Sequence, residues 1–288
     1  MADMADHKRT ETMSTTWLIT GSSSGIGRAL VEQLLARGDR VAATLRRPEA
    51  LSELQTQYGE RLWLGELDVN DATAIREVVG RAFDELGRID VVVSSAGYAL
   101  FGAAEEVSDE QIEQQLQTNL IGSIQVIRAC LPHLRAQGGG RVLQVSSEGG
   151  QLAYPNFSLY HASKWGIEGF VESVAQEVAS FGIQFTLVEP GPTRTNFGAA
   201  LVSPPVMDVY DQTPAGEVRR AVTSGAFALK GDPEKMAREM ITVAHVNPAP
   251  KRLLLGSDAY DRVRSALTER LTALENQQPV ARSTELDA

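Results

Sequence analysis

Between Thr16 and Leu255 the chain alternates short apolar runs, rich in β-branched residues, with longer amphipathic segments. That rhythm predicts β-α units and a parallel sheet, because each helix is the crossover that brings the chain back to lay down the next strand in the same direction. Strands are expected at 16–20, 40–45, 61–67, 89–94, 141–146, 183–189 and 252–255. Runs as continuous as Ile89-Asp90-Val91-Val92-Val93 suit strands covered on both faces. The expected fold class is therefore α/β, a doubly wound parallel sheet of seven strands in a single domain.

Helices are marked by their ends. One over 25–37 stops at Gly38, a second over 71–86 stops at Gly87, and a third over 108–136 opens with Ser108-x-x-Gln111, a capping-box pattern. Asp232-Pro233-Glu234 opens another with cap, proline and acid in order. The alternation lapses over 192–231, a long irregular insertion holding Phe197, Leu201, Val206, Met207, Val209, Tyr210 and Phe227. Loops of that length inside a compact domain often serve as lids. Residues 1–13 are polar and repeat Met-Ala-Asp before a second methionine, Met13, so they read as a disordered leader or an upstream start. The domain is expected over 14–275, and 276–288 reads as a polar, fraying tail.

A chain of 288 residues, 43% hydrophobic and 22% charged, can bury a sizeable core. Its formal net charge of −10 gives no basic footprint, so neither nucleic acid nor an anionic membrane is expected as a partner. No apolar run approaches the roughly 18 residues of a membrane span. The lone Cys130 lies in an apolar helical stretch, has no internal disulfide partner, and fits a reducing, cytoplasmic setting.

Two motifs carry chemistry. The turn Thr20-Gly21-Ser22-Ser23-Ser24-Gly25-Ile26-Gly27 follows the first strand and opens a helix, so its backbone amides and the helix dipole face the position a pyrophosphate takes. Its spacing, with no Lys-Ser/Thr after it, argues against a P-loop. Far downstream, Tyr160-His161-Ala162-Ser163-Lys164 puts a phenol and an ammonium one helical turn apart, where the cation can favour phenolate. The pair alone also fits a solvated helix face, with Lys164 beside Glu168. No histidine has a ligand-spaced partner, so no metal site is indicated, and no Gly-x-Ser-x-Gly elbow supports a serine hydrolase.

Thr20-Gly21-x-x-x-Gly25-x-Gly27 together with Tyr160-x-x-x-Lys164 resembles the short-chain dehydrogenase/reductase family in its compact form. Further motifs fall in that family's order: Asp68-Val69, Ser95-Ala96-Gly97, Asn119, Ser147 thirteen residues before Tyr160, and Pro190-Gly191-x-x-x-Thr195. The resemblance spans about 13–275 and implies a Rossmann-like fold. It departs at Ser94-Ser95, where the family usually has Asn-Asn, so an altered hydrogen-bond network is expected there.

The resemblance implies a tetrad. Tyr160 would be the general acid of carbonyl reduction, and working near neutral pH would need its pKa lowered by about three units, roughly 4 kcal/mol of phenolate stabilisation. Lys164 would supply part of this and bind the nicotinamide ribose. Ser147 would hold the substrate oxygen, with Ser146 or a plain turn serine as alternatives. Asn119 would hold a water that relays protons, or else be a buried structural amide. The cofactor-binding set would be Gly21, Ser23, Ser24, Gly25, Ile26, Gly27, Arg46, Arg47, Asp68, Val69, Ala96, Gly97, Tyr160, Lys164, Pro190, Gly191 and Thr195.

An acid ending the second strand would bind the ribose hydroxyls of NAD and repel the 2′-phosphate of NADP. Here Leu45 occupies that position and Arg46-Arg47 follow, so NADP(H) is favoured over NAD(H), with Arg46 as phosphate ligand and Arg47 as helper. The apolar insertion points to a hydrophobic ketone or alcohol as the small-molecule substrate. By resemblance, the helices over 108–136 and 160–181 would pair in a homodimer or homotetramer. The rival reading is a redox sensor that binds NADP(H) without turnover, which has no need of an intact Ser147, Tyr160 and Lys164.

Overall fold

Trp17, Leu18 and Ile19 in β1 (Thr16–Thr20) are fully buried, and they alternate between two cores. Trp17 and Ile19 join one apolar cluster and Leu18 the other, as successive side chains of a strand must when both sheet faces are covered. The computed structural model describes residues 14–198, 201–226 and 228–286, so the leader over 1–13 and Phe227 lie outside the described residues.

After β1 come α1 (Gly25–Arg37), β2 (Arg40–Leu45), α2 (Ser52–Tyr58), β3 (Leu62–Glu66), α3 (Ala72–Leu86), β4 (Val91–Ser94) and α4 (Asp109–Leu116). The chain continues through α5 (Ser123–Ala136), β5 (Gly140–Val145), α6 (Ser158–Val178), β6 (Ile183–Pro190) and α7 (Pro214–Thr223). It ends with α8 (Pro233–Ala244), β7 (Arg252–Leu255), α9 (Ser257–Asn276) and α10 (Gln278–Arg282). All seven strands are parallel, in the order β3-β2-β1-β4-β5-β6-β7. This is the expected Rossmann-like doubly wound sheet, with α1 and α8 among the cover of one face and α3, α5 and α6 on the other. Between β1 and β4 the order of strands reverses, and the chain leaves their C-terminal ends toward opposite faces. A crevice results there.

The caps read from sequence are present. The Asp71 carboxylate accepts from the backbone N–H of Thr73 and Ala74, the Asp232 carboxylate from Glu234 and Lys235, and Ser108 and Gln111 cap each other reciprocally.

Three expectations need correction. The single helix over 108–136 is two helices joined by a π-helical stretch, Gln117–Gly122, which holds Asn119. The insertion over 192–231 is not irregular throughout. Thr213-Pro214 opens α7, and the Glu106 carboxylate ties that helix down by a 2.6 Å ion pair to Arg219. The segment is also pinned at its base, where Gly231 N–H donates to Pro192, and at Val202, which exchanges backbone bonds with Ala99 and Phe101. The polar stretch from Asn276 is helical through Arg282 rather than frayed, although its side chains are exposed. Hydrophobicity did not mark this last helix, because it packs so little.

Leu34 of α1 and Met240 of α8 are fully buried in one cluster, at the seam between these two helices. Leu34→Ala should therefore cost about 2–5 kcal/mol, read as a lower urea midpoint. An unchanged midpoint would contradict this seam.

Candidate active site

The glycine turn is shaped by contact as well as by conformation. Gly21 has φ +69°, and a Cβ there would lie 2.8 Å from the Ala96 backbone, while a Cβ on Gly27 would lie 2.4 Å from the Gly21 carbonyl oxygen. Only glycine lets β1, the start of α1 and the end of β4 approach this closely. Thr20 Oγ1 completes the junction by accepting from the backbone N–H of Ser95 at 3.0 Å and Ala96 at 3.3 Å. The end of β4 is thus held through Thr20, at the position where Ser94-Ser95 departs from the expected Asn-Asn.

A cavity of about 840 Å³ opens along the C-terminal ends of the strands. Gly21, Ser23, Ser24, Gly25, Ile26 and Gly27 line one end, next to Arg46 beyond the buried Leu45. Asp68, Val69, Ala96 and Gly97 form the adjoining wall, and Pro190, Gly191 and Thr195 close the far side of the crevice. Arg47 is the exception among the expected contacts. It is exposed where β2 leads into the turn before α2 and does not line the cavity. A glycine cradle without Cβ atoms beside a helix N-terminus fits the pyrophosphate of a dinucleotide.

Ser147, Tyr160 and Lys164 meet at the other end of the cavity. Lys164 Nζ stands 5.6 Å from the centre of the Tyr160 ring and donates to the Val145 carbonyl at 3.1 Å, so the ammonium is anchored to the end of β5. The expectation that Lys164 lowers the tyrosine's pKa is not met by the protein alone. Burial pushes the Tyr160 phenol up to about 12, the Glu148 charge adds to this, and it is Ser147 that acts the other way. Burial pulls Lys164 down to about 8, against the raising influence of Glu168.

Asn119 stands one layer behind the cavity wall. Its Oδ1 accepts from Tyr98 N–H at 3.0 Å, its Nδ2 donates to the Tyr98 carbonyl at 2.8 Å, and Nδ2 also lies 3.4 Å from Ser163 Oγ on α6. The π-helical stretch aims this amide at the loop after β4, which explains a polar residue in mid-helix.

Sequence reasoning passed over His161. Its Nδ1 bonds the Gly149 carbonyl at 2.9 Å and its Nε2 accepts from Tyr154 N–H, so both ring nitrogens tie α6 to the segment after Ser147. Burial holds this imidazole below its ordinary pKa, in the neutral form. Glu148 was also missed. Buried at the cavity wall, it accepts from Tyr154 Oη and from the Arg262 guanidinium of α9, about a hundred residues away in sequence. Nothing local in the sequence marks that pair. Of the apolar residues in the insertion, Phe197 and Leu201 line the cavity, whereas Val206, Met207 and Val209 face outward. Phe157 and Phe197 both set their rings against Tyr160, at 6.1 and 6.0 Å between centroids. Among the described residues no group of His, Cys, Asp and Glu is placed to hold a metal ion, and no helix is long and apolar enough to cross a membrane.

Known proteins resemble this chain in sequence and in fold. The family described as short chain dehydrogenase matches residues 15–205. The chain is 39% identical to Oxidoreductase BOA17 of Botryotinia fuckeliana, over 86% of this chain and 91% of that protein. Its fold is similar to the crystal structure of a short-chain dehydrogenase from Streptomyces avermitilis, with a TM-score of 0.88, 37% identity, and coverage of 95% and 99% of the two chains. It is also similar to a serine dehydrogenase solved with NADP+, at a TM-score of 0.71, 26% identity and coverage of 84% and 94%. A Burkholderia phymatum member solved with NAD is similar in fold alone, at 18% identity, a TM-score of 0.75 and coverage of 87% and 92%. With its glycine turn, its Tyr160-x-x-x-Lys164 helix and its sheet order all in agreement, the chain belongs to the short-chain dehydrogenase family.

Proposed function

We propose that the protein is an NADP(H)-dependent oxidoreductase that interconverts a hydrophobic ketone and its alcohol. The observation that carries this reading is the single cavity in which Ser147, Tyr160 and Lys164 share walls with the glycine turn and Arg46. A nicotinamide bound there would supply hydride to the carbonyl carbon in reduction and accept it in oxidation. Tyr160 gives its phenolic proton to the nascent alkoxide, and burial keeps that proton in place at neutral pH. Ser147 Oγ, which accepts from Gly149 N–H at 3.1 Å, turns its own proton toward the substrate oxygen. Lys164 holds positive charge beside the phenol, and Asn119 braces the wall behind it. Phenolate formation in the reverse direction draws on Ser147, the Lys164 ammonium and the positive charge of the oxidised nicotinamide.

Arg46 supports NADP(H) over NAD(H), since the acid that would repel a 2′-phosphate is replaced by buried Leu45. Phe157, Phe197 and Leu201 around the phenol support an apolar substrate. Exposed Ile121, Trp165 and Phe181, on and beside the long helices, support a homodimer or homotetramer. Buried Cys130, its thiol pushed up to about 12, is compatible with a cytoplasmic setting.

Ketone reduction followed by NADPH absorbance should lose about 10²–10⁴ in kcat in Tyr160→Phe, with NADPH binding retained. Tight NADPH binding with no turnover of any ketone or alcohol by the wild type would favour the sensor instead. Arg46→Ala should raise the KM for NADPH about tenfold or more and spare that for NADH. An unchanged KM for NADPH removes Arg46 from the phosphate site. Because the protonated phenol and the ammonium coexist below about pH 8, kcat/KM for reduction should be flat there and fall as pH climbs through the lysine's pKa. A rate still rising above that pH would count against Lys164 acting as a cation. Size-exclusion chromatography should give a dimer or tetramer, and a monomer would refute the pairing of these helices.

A further inference from the structure

Glu168 is an unusual neighbour for a catalytic lysine. It lies one turn after Lys164 on α6, is 3% exposed, and takes no part in the chemistry assigned above. Its carboxylate is surrounded by donors from separate segments. Ser146 Oγ donates to Oε1 at 2.6 Å, and Gln151 Nε2 and Arg252 Nη1 each donate to Oε2 at 2.6 Å. Arg252 of β7 also pairs with Glu189 at the end of β6 and with Glu172 of α6.

The chain makes room for this carboxylate. A Cβ on Gly150 would lie 1.8 Å from Glu168 Oε1 and 2.8 Å from Ser146 Oγ. Gly150 therefore lets the carboxylate seat directly against the loop that carries Ser147. Three parts of the site converge on it: Ser146-Ser147, the helix of Tyr160 and Lys164, and, through Arg252 and Glu189, the strand that leads into Pro190-Gly191.

We propose that Glu168 is the positioning residue of this active site, its buried carboxylate seated in the space left by Gly150 so as to tie the Ser147 loop to α6 and keep Lys164 an ammonium ion. This inference rests on the catalytic reading of Lys164. The ionic surroundings leave Glu168 as the counter-charge. Tyr160 is protonated, Glu148 is ion-paired with Arg262 of α9, His161 is neutral, and Glu172 reaches out to Arg252 at the surface. Burial and Glu168 itself push Glu189 up, and Arg252 pairs with it. Burial pulls the Lys164 ammonium down, and Glu168 is the group that opposes the fall. Three donors fix the position of this carboxylate, where a mobile one would turn to water.

The test reads Lys164 directly. With 13C at lysine Cε, the chain gives five signals, and the one absent from Lys164→Arg belongs to Lys164. In Glu168→Gln the titration midpoint of that signal should fall by about one pH unit, and the alkaline limb of kcat/KM should move with it. Gly150→Ala, which displaces the carboxylate without removing it, should shift the midpoint in the same direction and carries the test if Glu168→Gln does not fold. Glu189→Gln should leave the midpoint in place. An unmoved Lys164 midpoint in folded Glu168→Gln or Gly150→Ala overturns the proposal, as does an equal shift in Glu189→Gln. A shifted midpoint in a protein that reduces no ketone keeps this inference and removes the proposed function. An unshifted midpoint in an active enzyme does the reverse.

Discussion

The site depends on β1 having a parallel partner on each side. Pairing with β2 and with β4 forces the chain to leave those strands toward opposite faces, and the gap between the two departures lets an extended ligand reach backbone amides at the start of α1. Closing that junction requires backbone-to-backbone contact, which is why Gly21 and Gly27 have no side chain and why Thr20 spends its hydroxyl on the amides of Ser95 and Ala96. The sheet supplies the crevice, and the glycines decide how deep it is.

Much of this was legible because local signals and global fold agree. Strands β1, β2 and β7 fall at the residues their apolar patterns indicate, and α1 ends at Gly38 with φ +97° as a left-handed cap should. The motifs around Tyr160 were legible for the same reason, since residues four apart on a helix share a face whatever the tertiary structure. Reading failed where position depends on distant partners. The π-helical stretch around Asn119 follows from the demand of the Tyr98 backbone for two hydrogen bonds, and no spacing in 108–136 announces it. The same holds for α7, whose place is fixed by Glu106, and for Glu148, whose partner is on α9. Leu45, by contrast, was readable as a missing acid because one strand-end position carries the whole distinction.

Burial makes the electrostatics of the site costly, and the costs act in opposite directions on the two residues that matter most. Withdrawing water raises the pKa of the tyrosine and lowers that of the lysine, so burial alone drives the pair toward neutral phenol and neutral amine. In the proposed reaction a neutral phenol is needed at the outset of carbonyl reduction, but a neutral amine is useless beside a developing phenolate. The protein therefore needs an anion near the lysine and none near the tyrosine. Glu168 lies on the lysine side, fully held by donors. Glu148, which would penalise phenolate, is matched by the guanidinium of Arg262. Glu148 and Glu168 thus have opposite relations to the proposed chemistry, and each pairs with an arginine from the C-terminal part of the chain, Arg252 being shared with Glu189 and Glu172.

That division gives β7 and α9 a part in the site that their distance from Tyr160 in sequence conceals. Arg252 and Arg262 line no part of the cavity, yet each satisfies a carboxylate that would otherwise be buried unpaired, at a cost of several kcal/mol. The family match ends at residue 205, so both arginines lie beyond it. The region within the match carries Ser147, Tyr160, Lys164 and the glycine turn, and the region beyond it carries the arginines that pair with the buried carboxylates around them. A catalytic motif read in isolation therefore understates the length of chain its chemistry requires. The charges around Tyr160 and Lys164 are balanced by arginines some ninety residues further along the chain.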